Sequence, residues 1–63
     1  MIKLRDLARH LRSHDCALLR EGASHSVWIN RGNGRRTTLP RHRELPRTTA
    51  KAICAQLDVP PLA

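Results

Sequence analysis

A histidine at a turn is a place where a proton can pass between a protein and a ligand. His25 lies in the stretch REGASHSVW, residues 20–28, after a charged turn and at the start of an apolar run. Gly22 gives the backbone freedom to turn, and the Ser24 hydroxyl can bond backbone or phosphate. An unperturbed imidazole has a pKa of about 6.5, so it can take or give a proton near neutrality. RNA cleavage needs that: a base removes the 2′-hydroxyl proton, the oxygen attacks phosphorus, and an acid protonates the leaving oxygen. Nearby arginines could stabilise the charge that builds on phosphorus. On residue chemistry alone, a polar residue closing a loop is the better account of His25.

The densest basic run is RRTTLPRHR, residues 35–43, with Arg35, Arg36, Arg41, His42 and Arg43. Along a strand, Arg36 and Thr38 alternate with Arg35, Thr37 and Leu39, so one face can present cations and hydroxyls. That suits a phosphate track, and it also suits an edge strand protected by charge. His10 and His14, four apart, share a helix face, but no Cys, Asp or His is placed to complete a metal site, so they read as a solvated pair. Cys16 and Cys54 form neither a CxxC pair nor any zinc spacing, and are expected as buried thiols in a reducing compartment. Neither a metal nor another cofactor is expected. Trp28 is the only aromatic residue. Alternation puts His25, Val27 and Ile29 on one face and Ser26, Trp28 and Asn30 on the other. With the apolar pair turned to the core, Trp28 would face outward as a partner-binding anchor or a base-stacking residue, unless a bulge reverses the parity and packs it inside.

These residues need elements to hold them. Leu4, Leu7, Ala8 and Leu11 repeat at i, i+3, i+4 and i+7, which predicts a helix over 3–13 with Lys3, Arg5, Arg9 and Arg12 outside. Ala50, Ile53, Cys54 and Leu57 repeat the pattern and predict a second helix over 47–57, with Pro46 ahead and Thr48 or Thr49 as N-cap. Asp15 and Asp58 should close the two helices, since Asp tolerates the left-handed conformation. Between them, 16–21, 25–30 and 34–40 read as strands. Asn33-Gly34 signals a hairpin turn and Pro40 ends the third strand. The order is α-β-β-β-α: an α+β fold, a three-stranded antiparallel sheet with both helices on one face.

Size and charge bound what such a fold can do. Sixty-three residues imply a single domain, which buries only about 60% of its unfolded surface. A deep substrate cavity is therefore not expected, and a polymer suits an open face better than a metabolite. Twelve Lys+Arg against five Asp+Glu give a net charge of +7, and ten of the twelve cations are arginines. Arginine forks match phosphate oxygens, which favours nucleic acid, although an acidic protein partner fits the same charge. No segment is apolar enough to span a membrane, and the N-terminal residues lack the apolar core of a signal peptide, so a cytoplasmic protein is expected.

Taken together, KLRDLARHLRSHDC, REGASHSVW, GRRTTLPRH and TTAKAICAQLDV resemble the HicA (YcfA-like) family of small bacterial toxins. The resemblance runs from about Lys3 to Val59. Its weight lies in the combination of a glycine shortly before a histidine at the second strand, a basic third strand, and Pro40-Arg41-His42. It implies a fold like the double-stranded-RNA-binding domain and an mRNA interferase activity with a catalytic histidine, matched here by His25. Gly22 matches the family's glycine. It also implies a HicB antitoxin that blocks the toxin and joins it in repressing their operon, so operator DNA is met only through that complex. Members often carry Gly directly before the Ser-His pair, where this chain has Ala23; a positive φ there would strain a side chain.

The expectation is a metal-independent endoribonuclease toxin. His25 would be its acid/base, Gly22 and Ser24 would support the loop, and Arg35, Arg36, Arg41 and His42 would hold RNA. Trp28 would contact the partner. Two rivals share the same residues: a module that grips RNA without cutting it, and a subunit whose cations chiefly meet an acidic antitoxin.

Overall fold

The computed structural model describes residues 1–62. A two-residue strand β1 (Ile2–Lys3) leads into helix α1 (Leu4–Ser13). Three longer strands follow, β2 (Cys16–Glu21), β3 (His25–Asn30) and β4 (Arg36–Pro40). A second short strand, β5 (Glu44–Leu45), precedes helix α2 (Arg47–Leu57). The main sheet runs β2-β3-β4, antiparallel throughout. Both helices cover one of its faces, as the apolar spacing predicts. Leu7 and Leu11 of α1 and Ala50, Ile53, Cys54 and Leu57 of α2 meet Cys16, Trp28 and Leu39 of the sheet in one cluster.

Both helices end on aspartates in the left-handed region, Asp15 at φ 65° and Asp58 at φ 58°. At α2 the Val59 N–H donates to the Cys54 carbonyl (3.0 Å) and the Asp58 N–H to the Ala55 carbonyl (3.1 Å). This double bond pattern is the Schellman closure usually given to glycine. At the other end the threonine cap does not form: Pro46 is the N-cap, without a side-chain cap bond, and Thr48 and Thr49 lie inside the first turn. Leu45 is held in β5 and Ala50 in the core, which leaves only Pro46 to enter the helix. Its ring already supplies a φ of −57°.

The short β1–β5 ladder pairs Ile2 with Leu45 and Lys3 with Glu44. Two-residue strands have no periodicity to read, and nothing in the sequence announces them. The third strand starts at Arg36 rather than residue 34, because the turn takes up Arg35. Gly34 has a φ of +78° there, and its N–H donates to the Asn30 carbonyl at 2.7 Å. No described helix is long and apolar enough to cross a membrane.

Candidate active loop and basic sheet face

His25 opens β3 on the face that the helices leave free. The ladder sets it opposite Pro40, with Val27 opposite Thr38 and Ile29 opposite Arg36. Residues directly opposite share a face, so His25, Thr38 and Arg36 stand together on the uncovered side. Thr38 and Arg36 are exposed there, while Thr37 and Leu39 turn into the core. The alternation expected for this strand therefore holds over its length.

Trp28 corrects the expected parity of β3. It is only 5% exposed and belongs to the core, with Ser26 and Asn30 buried on the same side. Val27 and Ile29, the two residues expected inside, lie half-buried on the uncovered face. Two β-branched residues lose less by partial exposure than an indole does, and Trp28 is large enough to fill the space beneath α1. The Arg12 guanidinium closes over its ring at 5.3 Å from the centroid, a cation–π contact. Trp28 is thus not available as an outward anchor. The same reversal frees His25 from the core side.

The loop before His25 is held at several points. The Gly22 N–H donates to the His25 carbonyl at 2.7 Å. A Cβ on Gly22 would lie 3.0 Å from that same oxygen, so close approach, not a left-handed backbone, is what calls for glycine. From the end of β4, the Arg41 N–H reaches the Ser24 carbonyl (3.3 Å). The Arg41 guanidinium donates to the Gly22 carbonyl (3.1 Å) and lies 3.9 Å from the Glu21 carboxylate. Ala23 has no positive φ; among the described non-glycine residues only Asp15 and Asp58 do. The side chain at position 23 therefore costs the loop no backbone strain.

Within this frame Ser24 Oγ lies 3.1 Å from His25 Nδ1. That bond occupies one ring nitrogen and leaves Nε2 to the solvent. With Nδ1 donating to the hydroxyl, the neutral ring leaves Nε2 free as a base, and the imidazolium carries a proton on Nε2 that it can give up as an acid. The arrangement can serve either half of a proton-transfer cycle.

The expected cations part company. Arg36 stands on the uncovered face opposite Ile29, four residues along β3 from His25, whereas Arg35 points the other way: its Nε donates to the Gln56 carbonyl at the end of α2 (2.8 Å). Arg35 thus caps the end of α2 and stands apart from Arg36 rather than in one track with it. His42 is exposed, two residues beyond the partner of His25 in the ladder. Sequence reasoning missed Arg20. In β2, Leu18 pairs with Trp28, but a bulge then shifts the register so that Arg20 pairs with Val27. Arg20 thereby joins the His25 face from the opposite strand; unbroken alternation would have sent it to the helix side with Leu18. A bulge of one residue left no signal in the sequence.

The remaining chemistry-bearing residues have other work. His10 Nε2 lies 2.6 Å from the Pro60 carbonyl, and its ring packs edge-on against His14 at 4.7 Å. Both cysteines are buried free thiols. Burial, with smaller contributions from the Asp15 carboxylate and Cys54, raises the Cys16 pKa; burial likewise raises Cys54, a backbone contact at Leu62 opposing it. Neither is poised as a nucleophile.

No curated protein and no solved structure matches the chain. One family model does, described as the HicA toxin of bacterial toxin-antitoxin, over residues 4–59. That span takes in both helices, the three-stranded sheet and the His25 loop, so the chain belongs to the HicA toxin family of bacterial toxin–antitoxin systems.

Proposed function

We propose that this toxin is an mRNA interferase, an endoribonuclease that arrests translation and growth by cutting RNA without a metal. The observation that carries the reading is the exposed His25 ring, oriented through Nδ1 by Ser24 and set among the cations of an uncovered sheet face. In the first step Nε2 takes the proton from a ribose 2′-hydroxyl. The oxygen then attacks the adjacent phosphorus and the bond to the 5′-oxygen breaks. That leaving oxygen takes a proton, from His42, from solvent or from the imidazolium returning it. The products are a 2′,3′-cyclic phosphate and a free 5′-hydroxyl. Arg36 and Arg20 hold the backbone phosphates, and Arg41 keeps the loop in place while its half-exposed guanidinium adds positive potential. The toxin works in the cytoplasm, under the control of a HicB-like antitoxin, and meets operator DNA only through that complex.

Purified protein incubated with labelled RNA in chelator tests this directly. Cleavage by the wild type and none by His25→Ala supports it. A shifted but intact RNA band from the wild type would instead mean a binding module.

A further inference from the structure

His25 stands at one end of the sheet, and a second group of cations gathers at that same end. β4 finishes at Pro40, the ladder partner of His25, and Arg41 then bonds the His25 loop. Two residues on, the Arg43 carbonyl accepts the Leu4 N–H at 2.8 Å, which fixes the start of α1 beside the end of β4. A cleft of about 540 Å³ opens at this junction, lined by Lys3, Leu4, Arg5, Arg43 and Glu44.

The three cations of that cleft are all exposed. Among the described residues no carboxylate comes within 4.0 Å of Lys3 or Arg43, and Arg5 reaches only its neighbour Asp6, at 4.0 Å. Nor do Lys3 and Arg5 brace the helix they begin. Cations beside the positive end of a helix oppose its dipole, and Lys3, the N-cap, makes no side-chain cap bond. Glu44 is the opposing charge in the lining. It stands across the β1–β5 ladder from Lys3, and the two offset each other. Arg5 and Arg43 then leave the cleft positive.

We propose that this cleft holds a backbone phosphate of the bound RNA, outside the bond that lies at His25. The inference rests on the reading of the open sheet face as an RNA site, and adds a second anchor to it. The ladder pair and the three residues after Pro40 keep the Cα atoms of His25 and Arg43 within about 16 Å, so one short strand can touch both. A strand running from Arg36 past His25 leaves the sheet at this end, where Arg43 and Arg5 are the cations without a ladder partner of opposite charge. Arginine forks suit phosphate oxygens. Leu4 is the only apolar residue in the lining, too little to seat a protein segment.

The probe is 2′-O-methylated oligouridylate, from trimer to dodecamer, which lacks the hydroxyl nucleophile and stays whole. The dodecamer should bind the wild type more tightly than the trimer, because only it reaches the cleft. Arg43→Ala and Arg5→Ala should each shrink that gain by about fivefold and lower the salt-dependence slope by about 0.7. Glu44→Gln should enlarge the gain, a change that a merely structural role would not produce. Arg31→Ala makes the same change of net charge just past the far end of β3 and should leave the gain as it is. All four side chains are exposed, and thermal melting should match the wild type. The proposal is overturned if there is no gain with length, if Arg43→Ala and Arg31→Ala act alike, or if Glu44→Gln does not tighten binding. Oligoglutamate of matched charge, bound as tightly and with the same response to Arg43→Ala and Glu44→Gln, would assign the cleft to an acidic peptide instead. Unmodified RNA left uncut by the wild type, with the gain and its loss in Arg43→Ala intact, would sink the nuclease reading and leave the cleft standing.

Discussion

The two hairpin turns of the sheet show how differently a short chain can hold a reversal. Between β3 and β4, Asn30 and Asn33 both donate to the Leu57 carbonyl, at 2.7 and 3.2 Å, and Arg35 donates to Gln56. Asn30 also accepts from the Gly32 N–H at 2.9 Å. That turn is bolted to the end of α2 and satisfies carbonyls that the helix cannot satisfy itself. Between β2 and β3 no helix is involved. Gly22, Ser24 and Arg41 hold the loop through exposed bonds around the His25 ring. One turn stabilises the fold; the other holds the exposed imidazole on which the proposed activity rests. Under that proposal, stability and function are divided between the two ends of β3.

Four substitutions and one control would break or sharpen that division. His25→Ala should lower RNA cleavage by roughly 10²- to 10⁴-fold, the usual worth of a positioned acid/base, with melting unchanged. Cleavage within a few fold of wild type would remove His25 from the chemistry. Asn30→Ala should do the reverse. It removes two hydrogen bonds, one to the Leu57 carbonyl, which keeps Asn33, and one from the Gly32 N–H, at about 0.5–1.5 kcal/mol each. A lower denaturation midpoint with near-normal cleavage in the cold is expected; an unchanged midpoint would show that the turn does not brace α2.

Gly22→Ala comes next in size. The added Cβ presses on the His25 carbonyl, so the imidazole should shift, and cleavage should fall by about tenfold, since small misplacements are costly. A large loss of stability without loss of specific activity would make the active loop a structural turn like the other. The smallest effect is that of Arg36→Ala. Weaker RNA binding and a salt-dependence slope smaller by about one would place it on a phosphate. Arg35→Ala is its control: a lower midpoint and an unchanged slope are expected from a helix cap.

Much of this was legible beforehand. The helices, three strands and the aspartate closures follow from spacing and residue type, because apolar periodicity and left-handed tolerance are local properties. Arg35 and Trp28 were not. Arg35 extends the alternation of β4 on paper, yet its partner is a carbonyl twenty-one residues away. For Trp28 the apolar pattern of β3 was ambiguous, with Val27, Trp28 and Ile29 all hydrophobic, and either parity buried something.

By itself the amino-acid sequence determined the order of elements, the basic character, the position of a histidine at a strand start and the apolar stripes of both helices. Each of these depends on neighbours a few residues apart. Tertiary structure decided which face of β3 meets the helices, because only packing can weigh an indole against two β-branched residues. It also decided that a bulge turns Arg20 toward His25, and that Arg41 clamps the loop from across the sheet. Those depend on strand register, which is set by contacts between residues far apart in the chain.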